Sequence, residues 1–196
     1  MTRPLPVRAM SVPVLFALAL AIDSASAQQR FADITFAHKP PIKLDVARVE
    51  LVKEFQSPEA PPNVEHRFPI PPDRAVERWA RDRLQPVGAG NVARVVIKQS
   101  SVVEVPLETS GGLVGLFTTE QSERYDAVLE VLVEIHSDLG RQGYAAATVK
   151  RSQTVPEDIS PNDLQQVWFE MTEKLIKDID SSLEESIPKY LAAYLR

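Results

Sequence analysis

The chain has 196 residues, of which 25% are charged, and a formal net charge of −5. This mildly acidic balance, with both signs mixed along the chain, argues against nucleic-acid binding and against electrostatic adhesion to anionic lipid. The chain contains no cysteine, so disulfide bonds are excluded and a hydrophobic core must hold the fold. A chain of this length is expected to fold as one domain.

The first 27 residues have the three parts of a secretory signal peptide. Arg3 and Arg8 precede an apolar run over residues 12–22, and Ala-Ser-Ala at 25–27 places small residues at a cleavage site. The run has about half the length of a bilayer-spanning helix, which favours a cleaved leader over an anchor. We therefore expect a periplasmic protein that begins at Gln28. Its net charge is −6, because residues 1–27 hold two arginines and one aspartate.

The next segment predicts a strand, an extended crossing and a helix. Apolar residues at alternate positions predict a long strand over 42–55, and residues 33–36 are a candidate edge segment. Six prolines without a glycine between Gln56 and Pro72 predict an extended surface crossing. Pro72 and Asp73 then begin a helix that Pro86 and Gly88 end. The predicted buried positions are Ala47, Val49, Leu51 and Phe55 on the strand and Val76, Trp79, Ala80 and Leu84 on the helix.

The second half predicts three strands and a long helix. The strands cover residues 91–105, 123–136 and 144–155, and Gly140 to Gly143 join the last two as antiparallel neighbours. Ser160 provides an N-cap for an amphipathic helix of about six turns, which Pro188 kinks or interrupts. The predicted apolar stripe of this helix consists of Leu164, Trp168, Met171, Leu175, Ile179 and Leu183.

The resulting order is β-α-β-β-β-α over a single domain of residues 28–196. One-sided helices and strands with one polar face predict an α+β two-layer sandwich. In this fold a four-stranded, mostly antiparallel sheet carries both helices on one face. Trp79 and Trp168 lie on the predicted core faces of their helices, so we expect them to pack in the core.

No motif in the chain predicts an enzyme, a cofactor site or a metal site. Residues 88–93 match G-x-G-x-x-A, but a strand follows them where a dinucleotide site needs a helix, which favours a turn at the helix C-terminus. His38, His66 and His136 lie in different elements, without metal-ligand spacing. Serine-nucleophile motifs are absent, although a triad assembled from distant residues stays open as an alternative.

One loop carries apolar residues where a polar connection is expected. Residues 109–119 contain three glycines together with Leu113, Val114, Leu116 and Phe117. One alternative is that these four side chains fold back and cover the end of the core. The other is an exposed patch that binds a protein partner or contacts lipid. We take Leu113, Val114, Leu116 and Phe117 as candidate partner-binding residues.

The element order, the segment RFPIPPDRAVERWARDRL and the ending DISPNDLQQVWFEMTEKLIKDIDSSLEESIPKYL together resemble small envelope proteins of Gram-negative bacteria. The chain is similar to the ABC-type transport auxiliary lipoprotein group and to the lipopolysaccharide-assembly lipoprotein. The resemblance implies a non-enzymatic accessory that attaches to transport or lipid-carrying assemblies. Gln28 stands where the lipid-bearing cysteine of such lipoproteins would be, so the resemblance does not extend to lipid tethering.

Taken together, these features favour a non-enzymatic periplasmic accessory that binds an envelope protein partner, with lipid or membrane contact as a second mode and no nucleic acid. The alternative is a soluble carrier of a small apolar ligand or lipid, which needs an enclosed apolar pocket of roughly 300 Å³ or more between sheet and helices. An unrecognised hydrolase is the third hypothesis.

Overall fold

The computed structural model of the protein describes residues 31–108 and 120–196. The expected signal peptide and the four candidate partner-binding residues, Leu113, Val114, Leu116 and Phe117, lie outside these ranges. Within them the order of strands and helices broadly follows the predicted one. None of the described helices is long and apolar enough to cross a bilayer.

A four-stranded sheet forms one layer of the molecule. Its strands are β2 (Arg48–Lys53), β4 (Val92–Pro106), β5 (Gln121–Ser137) and β6 (Gly140–Pro156), in the spatial order β2-β4-β5-β6. β2 runs parallel to β4, whereas β4, β5 and β6 are successive antiparallel neighbours. A separate two-stranded parallel pair joins β1 (Ile42–Leu44) to β3 (Leu84–Pro86). The predicted mostly antiparallel sheet is confirmed.

Two helices, α1 (Pro72–Arg83) and α2 (Pro161–Tyr190), form the second layer. The Ser160 hydroxyl accepts a hydrogen bond from the Asp163 amide at 3.2 Å, as the predicted N-cap requires. The alternating inward residues of β4, β5 and β6 and the apolar stripes of both helices belong to one core. Trp79 and Trp168 are both buried there, as predicted.

The predicted strand over 42–55 is two short strands in different sheets. The chain bends at residues 45–47, where the Val46 amide donates to the Leu44 carbonyl at 2.8 Å. In a regular strand Leu44 and Val46 would lie on the face opposite Val49. The bend lets Leu44 and Val46 enter the core while Val49 also packs against it. Ala47 and Leu51, two of the predicted buried residues, are exposed.

The bend at residues 45–47 packs closely against Gly88. A Cβ at Gly88 would lie 2.7 Å from the backbone carbon of Asp45, so a larger residue clashes with the bend. The helix before it ends at Arg83, earlier than the predicted stop, because Leu84 turns extended and starts β3. The glycine segment therefore follows a strand and not the helix C-terminus, and it leads into β4.

The structure also differs from the sequence prediction at the β5–β6 turn and at the end of α2. The turn between β5 and β6 is Asp138-Leu139, and Gly140, with a φ of +99°, begins β6. α2 continues through Pro188 to Tyr190 without an interruption. Pro188 lies on the exposed side of the last turn, where solvent replaces a lost backbone bond at low cost. The candidate edge segment at 33–36 is irregular, although Ile34 and Phe36 are buried.

Candidate functional site

Strand β2 has a free edge. It pairs with β4 on one side, and the Ala47 amide donates to the Gly90 carbonyl at 2.8 Å on that side. Because backbone groups alternate in direction along a strand, those of Arg48, Glu50 and Val52 point away from β4. Within the described residues, no further backbone bond occupies them. Such an edge is able to pair with another extended chain.

A groove lies beside this edge, between β2 and α1. Its volume is about 340 Å³, and its apolar lining comes from both elements and from β3. Leu51 is 40% exposed because α1 covers β4 and leaves the inner side of β2 only partly covered. The apolar lining residues are Ala47, Val49, Leu51, Ala80, Leu84 and Pro86.

Charged residues surround the groove. Lys53 Nζ lies 2.6 Å from Asp73 Oδ2 and 2.5 Å from Glu77 Oε1, which fastens β2 to the start of α1. Partial burial alone would lower the pKa of Lys53, but the bonds to the two carboxylates outweigh it and raise that pKa. Arg81 is exposed at the rim and forms no ion pair with any described residue. It therefore offers a free positive charge to an occupant of the groove.

A buried ionic cluster lies between the two helices. Asp180 Oδ1 accepts from Arg83 Nε and from Trp79 Nε1, both at 2.8 Å, and Asp180 Oδ2 lies 2.6 Å from Lys39 Nζ. Arg83 also donates to Glu184 Oε1 at 2.9 Å. The side chains of Arg83 and Asp180 are 1% and 2% exposed. Burial alone would raise the pKa of Asp180, but these hydrogen bonds outweigh it and hold that pKa below its usual range.

The cluster joins α1, α2 and the segment before β1, so its role is structural. Sequence reasoning missed it, because Arg83 was not among the predicted buried positions of the helix. The spacing could have predicted that Arg83 is buried, since it lies four residues after Trp79 and seven after Val76, on the same helical face. A charge at such a position needs a buried partner of opposite sign.

Acidic side chains occupy two further sites. Glu65 is buried, and its carboxylate accepts from Ser57, from Asn63 Nδ2 at 3.2 Å and from the Val102 amide at 3.0 Å. These bonds hold the proline-rich segment before α1 against β4 and supply hydrogen-bond donors to the buried carboxylate. Two residues beyond Val102 on β4, burial and the adjacent Glu123 raise the pKa of Glu104.

The histidines remain separate, with His38 before β1, His66 in a short 3₁₀ turn and His136 in β5. Among the described residues, no group of three or more His, Asp or Glu side chains is placed to hold a metal ion. His136 Nε2 contacts Glu134 Oε2 at 2.8 Å, and Arg141 binds the other oxygen of that carboxylate at 2.8 Å. These are surface contacts along the outer face of the sheet.

Comparisons with known proteins give structural neighbours only. Neither a protein-family model nor a curated protein matches this chain. Rare lipoprotein B from Shewanella oneidensis is similar in structure, with a TM-score of 0.35 and 14% identity over 70% of this chain and 92% of that one. A minor lipoprotein from Acinetobacter baumannii has a TM-score of 0.36 and 9% identity over 74% and 95%.

Proposed function

We propose that this chain is a non-enzymatic accessory protein of the bacterial envelope, which binds an extended segment of a protein partner along the edge of β2. The observation that carries this proposal is the combination of a free strand edge with an apolar groove directly beside it. Backbone bonds to the edge supply affinity, and side chains that enter the groove supply specificity.

The geometry of β2 and its groove determines which side chains the partner segment carries. An extended chain paired with β2 directs every second side chain toward the inner side, where Val49, Leu51 and Ala80 line the groove. The partner segment therefore carries apolar residues at alternate positions. An acidic residue near Arg81 would complement the free positive charge there.

The other sheet edge is less suited to such binding. Helix α2 packs over the inner side of β6. Arg151 Nε also bonds to Asp178 of α2 at 2.9 Å, so that helix is tied over the inner side of β6.

Site-specific photo-crosslinking in cells that produce the protein natively tests the proposal. A photoreactive residue at position 51 is expected to capture a discrete partner, whereas one at Thr148, exposed on the far strand, captures none. Glu50→Pro is expected to reduce the captured product about tenfold or more, because proline removes an outward amide donor.

The matched control is Glu50→Ala, which removes the same ion pairs to Arg48 and Arg94 but keeps the amide. It should leave the product unchanged. Equal loss in both variants would assign binding to the glutamate charge, and equal capture at positions 51 and 148 would contradict an edge-binding function. Melting temperatures of both variants establish that the fold is intact.

The carrier alternative has no specific observation in its favour. Large side chains, including Trp79, Tyr125 and Trp168, fill the space between the sheet and the helices. The groove beside β2 is an open cleft at the surface and not an enclosed pocket.

A further inference from the structure

Another cavity lies beyond the end of β2, where the chain leaves the sheet, and is here called the crossing cavity. The end of β2, the middle of β4, the proline-rich segment before α1 and the start of α1 surround it. Its volume is about 260 Å³. That is enough for one side chain or a small ligand, and it lies below the roughly 300 to 1,000 Å³ of sites for larger molecules. The apolar part of its wall consists of Phe55, Pro71 and Ile97.

A buried serine without a hydrogen-bond partner lines the crossing cavity. Ser100 is 2% exposed and forms part of the cavity wall. It lies directly opposite Leu129 in the β4–β5 pairing, and Leu129 is in the core, so the side chain of Ser100 also points to the inner side of the sheet. Its hydroxyl forms no hydrogen bond with any described residue. Buried polar groups are almost always bonded, so this hydroxyl is available to a ligand in the cavity.

A buried carboxylate in the same wall has no cation beside it. Glu65 is 4% exposed and lines the cavity. The donors to its carboxylate are the Ser57 hydroxyl, the Asn63 side-chain amide and the Val102 backbone amide, all of which are uncharged. Within the part of the chain that the structure describes, Glu65 forms no ion pair. Because a buried charge is ordinarily paired with one of opposite sign, this carboxylate favours a cation in the cavity.

The other charges of the cavity do not supply that cation. Lys53 is paired with Asp73 and Glu77, and Arg74 lies 3.2 Å from Glu77. The start of α1 adds partial positive charge, which Asp73 in its first turn offsets. Glu59 is exposed at the cavity and forms no ion pair with a described residue. Two carboxylates of the cavity thus lack a cation, whereas its lysine and its arginine each have a carboxylate.

We propose that the crossing cavity binds an organic cation, a primary ammonium or guanidinium group on an aliphatic stem. The cation binds the carboxylates of Glu59 and Glu65 and donates to the Ser100 hydroxyl, while the stem packs against Phe55 and Ile97. An anion would meet two carboxylates without cations, and an apolar ligand would leave the serine hydroxyl unbonded. No three acidic or histidine side chains of the described residues converge, so an organic cation suits the cavity better than a metal ion.

This site does not depend on the β2 edge being the partner-binding surface. The cation comes either from a lysine or arginine of the partner segment or from a free small amine, and the chemistry of recognition is the same for both.

Titration with n-butylammonium chloride, followed by nuclear magnetic resonance of the full protein recovered after export, tests the site. The amide resonances of Glu65 and Ser100 should shift in a saturable way, with a dissociation constant on the order of 1 to 10 mM for so small a probe. The uncharged probe of the same length is n-butanol, which should bind about tenfold more weakly or not at all, because it offers the carboxylates no positive charge.

Three variants and a matched control locate the cation. Glu65→Gln should weaken n-butylammonium binding by about tenfold or more, because it removes the buried charge. Glu59→Gln, at an exposed position that tolerates the change, and Ser100→Ala should each weaken it by about threefold or more. Glu185→Gln removes the same charge from an exposed position of α2 that does not line the cavity, and it should leave binding unchanged. Melting temperatures establish that each variant is folded.

Photo-crosslinking from position 51 distinguishes the two sources of the cation. If a lysine or arginine of the partner fills the cavity, Glu59→Gln should lower the captured product by about threefold or more, and Glu185→Gln should not. Unchanged capture, together with n-butylammonium binding that needs Glu59, supports the site and assigns it to a free amine.

Three outcomes would overturn the proposal. One is a wild-type protein whose resonances do not respond to n-butylammonium. Another is equal binding of n-butanol, which would make the cavity an apolar site. The last is n-butylammonium binding that Glu59→Gln and Ser100→Ala both leave unchanged, which places the cation elsewhere. Failure to capture any partner at position 51 would contradict the proposed edge binding and leave the titration result standing.

Discussion

Asp180 is the residue on which most of the helix-to-helix polar contacts converge. It receives bonds from Trp79, Arg83 and Lys39, which come from two different parts of the chain. A buried ion pair contributes little net stability when intact, but removing one partner leaves a charge without compensation in the core. The packing of α1 against α2 therefore depends on a side chain that contributes nothing to the hydrophobic core.

We predict that Asp180→Ala lowers the free energy of unfolding by roughly 3 to 5 kcal/mol, because Arg83 stays buried without its buried partner and keeps only the half-exposed Glu184. Asp178→Ala, two residues earlier, breaks the half-exposed pair with Arg151 and should cost about 1 kcal/mol or less. Urea denaturation of both variants measures the difference. Equal costs would contradict a special role for the buried cluster.

Asp180→Ala should also change how the free energy of unfolding depends on pH. The pKa of Asp180 is lower in the folded than in the unfolded protein, so its contribution is present above its unfolded value of about 4. That contribution is lost as the pH falls through the folded value. The urea midpoint of wild type should consequently fall more steeply on acidification than that of Asp180→Ala.

At the scale of elements, helix α2 was the most predictable part of the chain. Its proline and serine signals at the N-terminus and its apolar stripe are local, and the structure bears them out. The bend at residues 45–47 was not predictable, because it depends on Gly88 approaching from a distant part of the chain. The alternating apolar residues around Leu51 are typical of a strand that faces the core. Leu51 is nevertheless exposed, because α1 leaves that side of β2 uncovered.

We predict that Trp168→Ala lowers the free energy of unfolding by roughly 3 to 5 kcal/mol, the usual range for a buried aromatic. Its ring stacks on Phe68 at 5.0 Å and meets Tyr125 edge-on at 5.6 Å, so it joins α2 to the crossing and the sheet. Lys174→Ala, on the exposed side of α2, should change stability by about 0.5 kcal/mol or less. An unchanged denaturation midpoint for Trp168→Ala would show that the stripe is not the main packing surface.

At the scale of the whole molecule, the candidate contact regions occupy different places. The connection from Glu108 to Glu120 joins β4 to β5 at the end opposite the hairpin, because Pro106 pairs with Glu123 and Val92 with His136. The edge of β2 lies beside the other half of β4, because Arg48 pairs with Val92 and Lys53 with Ile97. The sequence identified the loop from its composition but not the groove beside β2, since a groove exists only after the elements have packed.

The last prediction concerns Leu113, Leu116 and Phe117, which remain candidate partner-binding residues. Replacing all three with serine should reduce the partner captured at position 51, while the melting temperature shifts by no more than about a degree or two. Exposed apolar side chains contribute their burial energy only in a complex, whereas buried ones contribute it to the fold. A variant that loses several kcal/mol of stability yet still captures its partner would show that these residues cover the end of the core.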